Sequence, residues 1–297
     1  MALRYGFIGL GNLGGALAAA LIGAGFDVTL YDHDADRATA LGGAVAPSPG
    51  ALAASVDAVI TCLPSPAASR AVLSEILPAM RPGTDWIEMS TLGQADIQAL
   101  AARTAAVGVG CLECPVTGGV HLARTGEITV LVGGEAALFQ RHSPALHAMG
   151  GQIFHMGPLG SAALMKVITN MLAFIHLVAD GEALMLAKRG GLDLGQAWAA
   201  IAASSGSSFV HETEGQLILN GSYDVAFTMD LALKDLGFAT GFGTAFGVPL
   251  ALADTVKRLF EEGHAAYGGD AQSTAIVRLL EDHCATDLRA PGFPERL

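Results

Sequence analysis

The chain has 297 residues, 52% of them hydrophobic and only 15% charged, and its 28 acidic against 16 basic side chains give a formal net charge of -12. That length admits two domains and a sizeable core. The acidic balance repels phosphodiester backbones and anionic lipid, which argues against nucleic acid and membrane surfaces as partners.

In chain order, the first half alternates short β-like runs with helical ones. Tyr5–Gly9 reads as a strand and Gly14–Ala24 as a helix, followed by a strand at Asp27–Tyr31 and a helix at Ala35–Leu41. The stretch Tyr5–Phe26 is free of charge, as a membrane span or signal peptide would be, but its seven glycines fit a strand–turn–helix unit better. Ala58–Leu63 is a continuous apolar strand ending at Pro64; Trp86–Met89, Gly110–Cys114 and Ile128–Val132 extend the series, with a helix at Ala95–Ala106. Apolar strands alternating with helices predict a parallel sheet covered on both faces. Cys111 and Cys114 form a C-x-x-C with no second ligand pair at metal-binding spacing. An extended segment points residues i and i+3 to opposite faces, so the pair reads as packing, with no metal, in a reduced cytoplasmic protein.

The second half is helical. Ser161–Arg189 carries no strong breaker except Gly181 and predicts one helix of roughly 43 Å. Further helices are expected at Gln196–Ala203, around Lys234–Phe246, at Leu250–Gly263 and at Thr274–Cys284, with no convincing strand after about residue 156. The reading is an α/β fold: a doubly wound parallel sheet over residues 1–160, then an all-α domain over 161–297 that begins with a long interdomain helix. The apolar length of that helix predicts a homodimer or homotetramer.

Gly9-Leu10-Gly11-Asn12-Leu13-Gly14 matches G-x-G-x-x-G between a strand and a helix, and the second strand is followed by Asp32, 18 residues beyond Gly14. Each glycine has a task in such a turn. Gly9 permits the tight bend, Gly11 lets backbone approach a pyrophosphate, and Gly14 lets helix and strand pack closely. The helix start then offers unpaired N–H groups to the phosphates. Asp32 would accept the adenosine ribose hydroxyls and repel a 2′-phosphate, which favours NAD over NADP; Asp34 adds to that repulsion and Arg37 moderates it.

Gly6–Gly14 resembles the opening of the β-hydroxyacid dehydrogenase family, which includes 3-hydroxyisobutyrate dehydrogenases and tartronate semialdehyde reductases. Three more segments are similar to that family's motifs and lie in its order. Glu113-Cys-Pro-Val-Thr-Gly-Gly119 looks like the substrate-binding stretch D-A-P-V-S-G-G, Gly157-Pro-Leu-Gly160 with Lys166 and Asn170 resembles the catalytic segment G-x-x-G-x(5)-K-x-x-N-N, and Lys234-Asp-Leu236 matches K-D-L. The resemblance implies an NAD-dependent oxidoreductase of small 3-hydroxy acids, with Lys166 and Asn170 catalytic and contacting substrate together with Thr117, Gly118 and Gly119. It further implies Leu63, Pro64, Thr91 and Lys234 as contacts of the nicotinamide cofactor. The chain departs from the pattern at Leu13, at Thr117 for serine, at Thr169 for the first asparagine, at Ala68 where many members have a cofactor-contacting asparagine, and at Glu113-Cys114 for Asp-Ala, a change expected to affect packing more than chemistry.

Alcohol oxidation needs a base within reach of the hydroxyl proton. Lys166 suits that task, because an amine taken out of water beside a cationic ring can exist neutral. It is also the only Asp, Glu, Lys or Arg between Arg141 and Asp180, with Leu164, Met165, Val167 and Ile168 around it. Asn170, four residues on, falls on the same helix face, and the Thr117–Gly119 turn offers backbone N–H groups and a hydroxyl to a carboxylate. His155, His176 and His211 are rival bases, each without a carboxylate partner nearby in sequence. Two rival functions stand beside the hydroxy-acid dehydrogenase: an imine or ketone reductase on the same architecture, against which Lys166 counts, and a non-catalytic dinucleotide sensor, which would need neither Lys166 nor Asn170.

Overall fold

A computed structural model describes residues 2–297, and the chain divides into two compact units, Met1–Lys166 and Val167–Leu297. In the first unit β1 (Arg4–Ile8), α1 (Asn12–Gly23), β2 (Asp27–Tyr31), α2 (Ala35–Ala40) and β3 (Ala44–Val45) form the opening half. They are followed by α3 (Pro49–Ser55), β4 (Ala58–Thr61), α4 (Pro66–Ile76), β5 (Asp85–Glu88), α5 (Gln94–Ala105) and β6 (Gly110–Glu113). The strands pair in the order β3-β2-β1-β4-β5-β6, all parallel, so the chain reverses its winding between β1 and β4. Such a switch point opens a crevice at the carboxyl ends of the strands, where ligands of doubly wound sheets bind.

The two sheet faces bury separate cores. Tyr5, Phe7, Ile60, Ile87, Leu112 and Cys114 line one; Ile8, Val59, Trp86 and Cys111 line the other. Cys111 and Cys114 thus face opposite ways, as an extended segment requires, and burial raises the pKa of both thiols.

Beyond β6 the sheet departs from the expected parallel series. β7 (Val116–Thr117), α6 (Val120–Thr125) and β8 (Ile128–Gly133) follow, and β8 runs antiparallel to both β6 and β7. The link between β6 and β8 is taken up by β7 and a six-residue helix, which turn the chain back instead of carrying it across a sheet face. α7 (Ala136–Met149) then returns the chain to β9 (Gly150–Gly157), an exposed strand parallel to β8 that shows no alternation of apolar and polar residues.

α8 (Ser161–Arg189) matches the expected long helix at both ends, and the division between the two units falls inside it. By length and composition alone it could cross a membrane. Phe174, Leu177, Leu184 and Met185 lie in the core of the second unit, however, where Asn170 and Asp180 bond Asp235 and His211. That unit continues with α9 (Leu194–Ala202), α10 (Phe209–Glu212), α11 (Glu214–Asn220), α12 (Met229–Phe246), α13 (Ala251–Tyr267) and α14 (Arg278–Cys284). The helix expected at Thr274–Cys284 is split, because Ser273–Val277 winds as a tighter 3₁₀ turn before α14 begins.

Candidate active site

The three glycines of the β1–α1 turn separate by what a side chain would meet there. A Cβ on Gly9, which has φ +93°, would lie 2.3 Å from the Cys62 carbonyl oxygen, and one on Gly14 would lie 2.0 Å from the Gly9 carbonyl oxygen. A Cβ on Gly11 would approach nothing closer than the Arg37 Nη1 at 3.6 Å. Gly9 and Gly14 are therefore demanded by the protein's own backbone, whereas Gly11 leaves an open surface over which another molecule can come close. Gly11 also stands at the start of α1 without a side-chain cap, so the first N–H groups of that helix stay available. These features fit a dinucleotide pyrophosphate.

Asp32 is buried at the end of β2. Its Oδ2 accepts the Leu10 N–H at 2.6 Å and its Oδ1 accepts the Asp34 N–H at 2.9 Å, so it clamps the glycine turn from the neighbouring strand. Arg37 is ion-paired with Asp34 at 3.2 Å.

At the ends of β4 and β5, Leu63 N–H donates to Ser90 Oγ at 2.7 Å, and Ser90 N–H donates to Glu88 Oε1 at 2.7 Å. Glu88 Oε2 accepts the Thr61 hydroxyl, which in turn accepts the Trp86 indole N–H. This buried network ties the Leu63–Pro64 segment to the Ser90–Thr91 segment. Burial raises the pKa of Glu88, an effect partly offset by its hydrogen bonds from Ser90, Ser69 and Thr61. Thr117 ends β7, and Gly118 and Gly119, with φ +119° and +91°, expose the backbone of the next turn in a conformation that side chains resist.

Lys166 is the sixth residue of α8 and only 8% exposed. Asn170, one turn further along the same helix, is equally buried, and its Nδ2 donates to Asp235 Oδ2 at 2.6 Å. Asp235 is buried in α12 and pairs with Lys234 Nζ at 3.4 Å through its other oxygen.

Two family models cover the chain: the NAD-binding domain of 6-phosphogluconate dehydrogenase matches residues 4–157, and the NAD-binding domain of NADP-dependent 3-hydroxyisobutyrate dehydrogenase matches residues 160–280. The chain is 31% identical to 2-(hydroxymethyl)glutarate dehydrogenase of Eubacterium barkeri over 94% of its length and 95% of that protein. It is 28% identical to L-threonate dehydrogenase of Escherichia coli K12, over 93% and 94% of the two chains. The solved structure of Mycobacterium tuberculosis 3-hydroxyisobutyrate dehydrogenase with L-serine superposes with a TM-score of 0.85 at 31% identity, over 94% of this chain and 99% of that one. The chain belongs to the β-hydroxyacid dehydrogenase family.

As a β-hydroxyacid dehydrogenase it is an NAD(P)-dependent oxidoreductase of hydroxy acids. Of the rival histidines, His155 bonds the Gly134 carbonyl and stacks on Phe139, and His176 is exposed. His211 does have a carboxylate partner, 31 residues back in sequence. Its Nδ1 meets Asp180 Oδ1 at 2.5 Å and its Nε2 meets the Trp198 carbonyl at 2.9 Å. An acceptor at each nitrogen favours the protonated ring; burial opposes that charge, but the Asp180 and Trp198 oxygens outweigh it and raise the His211 pKa. Two carboxylates to which the sequence assigned no chemical role hold other groups in place. Asp235 lies inside the K-D-L motif and orients Asn170, and Glu113, expected to matter for packing, accepts three backbone N–H groups.

Proposed function

We propose that this dehydrogenase oxidises the hydroxyl group of a small 3-hydroxy acid with NAD, and in reverse reduces the corresponding semialdehyde or oxo acid, with Lys166 as general acid–base. The observation that carries this reading is a lysine withdrawn from water near the start of α8, followed one turn on by an asparagine whose amide Asp235 holds in place. When bound, the dinucleotide supplies the hydride acceptor. The Lys166 amine takes the hydroxyl proton as the carbonyl forms, and as ammonium returns it to the oxygen in the reverse direction. Asn170, restrained by Asp235, orients lysine or substrate. The Thr117 hydroxyl and the Gly118 and Gly119 N–H groups receive the substrate carboxylate.

Residues 1–160 carry the dinucleotide in this reading. The turn Gly9-Leu10-Gly11-Asn12-Leu13-Gly14 takes the pyrophosphate, Asp32 takes the adenosine ribose hydroxyls and disfavours a 2′-phosphate, and Leu63, Pro64, Thr91 and Lys234 contact the nicotinamide end. Residues 161–297 supply substrate-contacting and subunit-contacting surface. Leu172 and Leu186 on α8 are 43% and 76% exposed, which supports a homodimer or homotetramer that sedimentation would reveal. The free cysteines fit a cytoplasmic enzyme.

A panel of 3-hydroxyisobutyrate, threonate, glycerate and 2-(hydroxymethyl)glutarate, each with NAD and NADP, tests the reading. Turnover of at least one acid with NAD is expected. In Lys166→Ala kcat falls about a thousandfold while dinucleotide affinity is kept. Near-normal turnover in that variant removes the proposed mechanism.

A further inference from the structure

Glu113 has no role in the chemistry so far, yet it is among the most buried charged residues of the first unit, at 2% exposure. It ends β6, and its Oε1 accepts the N–H groups of Gly160 at 2.7 Å and Ala162 at 2.9 Å, while Oε2 accepts that of Ala163 at 3.2 Å. These donors belong to the start of α8, where backbone N–H groups have no partner within the helix. Six other helices, α2, α3, α4, α9, α10 and α12, take a side-chain cap from the residue immediately before them. α8 takes its cap from a strand 47 residues upstream of Gly160.

The surroundings are shaped for that reach. Gly133 stands opposite Glu113 in the sheet, and a Cβ there would fall 2.1 Å from Glu113 Oε1. Gly160 turns into the helix at φ +99°, and a Cβ on it would meet the Gln94 and Gln98 side chains of α5. Three N–H groups converging on the carboxyl favour its ionised form, against the burial that raises its pKa. Lys166 lies four residues beyond Ala162, about 6 Å along the axis. A helix start pinned at three N–H groups resists both sliding and rotation of the turns that follow.

We propose that Glu113 is a positioning residue for Lys166, tying the start of the catalytic helix to the carboxyl end of β6 and so fixing where the amine stands. This rests on the acid–base reading of Lys166. The carboxylate also offsets the positive end of the α8 dipole, so its removal disfavours an ammonium in the first turns of the helix.

The test compares full-length Glu113→Gln and Glu113→Asp with the wild type in steady-state kinetics across pH, and in amide hydrogen exchange at Gly160, Ala162 and Ala163. In E113Q kcat drops ten- to a hundredfold, KM for the dinucleotide stays within about twofold, the alkaline rise of kcat moves to lower pH, and the three amides exchange faster. E113D keeps the charge and restores the pH midpoint with part of kcat. Should E113Q fail to fold, Gly133→Ala displaces the same carboxyl with its charge intact; it lowers kcat and speeds amide exchange but leaves the pH midpoint in place. Wild-type kcat and exchange in folded E113Q, or in folded G133A, overturn the proposal. Turnover that survives Lys166→Ala removes the reading beneath it, whereas turnover lost in Lys166→Ala but unmoved in E113Q removes the positioning role alone.

Discussion

Buried polar networks lie at both ends of the strands in the first unit, and they differ in what their hydrogen bonds hold. At the amino ends, Asp85 Oδ2 meets His142 Nε2 at 2.9 Å, His142 Nδ1 meets the Tyr5 hydroxyl at 3.0 Å, and Arg141 pairs with Asp85 at 3.0 Å. Acid, histidine and hydroxyl stand in the sequence of a relay, but Tyr5 and His142 are sealed from solvent and the groups satisfy one another. At the carboxyl ends, Glu88 and Glu113 sit side by side in register, and each accepts backbone N–H groups of a segment that leaves the sheet. The first network closes on itself and holds strand to helix. The second reaches outward and sets the geometry of loops. Resemblance to a catalytic triad is thus a poor guide to function; what a carboxyl holds in place is a better one.

Breaking each network in turn separates the two. Asp85→Ala leaves His142 and Arg141 without their carboxylate and costs about 3–5 kcal/mol in denaturant unfolding, with dinucleotide Kd and kcat of the folded protein within about twofold of wild type. A larger effect on Kd than on stability would refute the division. Gly14→Ala forces a methyl against the Gly9 carbonyl and costs about 3 kcal/mol of stability. Gly11→Ala, where the protein leaves room, keeps its melting behaviour but weakens dinucleotide binding at least tenfold, about 1.4 kcal/mol by titration calorimetry.

The smallest effect is in pH. Because the folded pKa values of Glu88 and Glu113 lie above 4.5, the unfolded chain sheds those protons first, and both groups make stability fall as pH rises from about 4.5 toward their folded values. Glu88→Gln flattens that decline. Tyr5, raised to about 12 by burial and then by Asp85 against the opposing Arg141, contributes a further loss only between about pH 10 and 12. Unfolding free energies of the wild type and Glu88→Gln between pH 5 and 9 with equal slopes would contradict this assignment.

Much of this was legible in the residues themselves. The glycine turn, Asp32 and the full span of α8 follow from local spacing, because a strand–turn–helix unit and an unbroken apolar helix are encoded by neighbours in sequence. The partners of Glu113, Asp235 and His211 were not, since each contact joins residues far apart: 47 residues from Glu113 to Gly160, 65 from Asn170 to Asp235, 31 from Asp180 to His211. β9 escaped because its side chains are mostly exposed and no period marks it. The short α10 and α11 were hidden for a different reason, although Ser208 caps the first and Gly221 ends the second in a left-handed conformation. Helices of four and seven residues are too brief to show a repeat. Glu113 itself offered one signal, a long acidic side chain at the end of an otherwise apolar strand.

Asp32 has a consequence for anyone wishing to retune the enzyme's coenzyme preference. Its carboxylate serves the Leu10 and Asp34 amides together, so exchanging it for a neutral or basic residue would unmoor the glycine turn. Changes of charge beside it are better placed at the half-exposed Arg37, whose ion pair is with Asp34 and leaves the bond from Asp32 to the Leu10 amide intact.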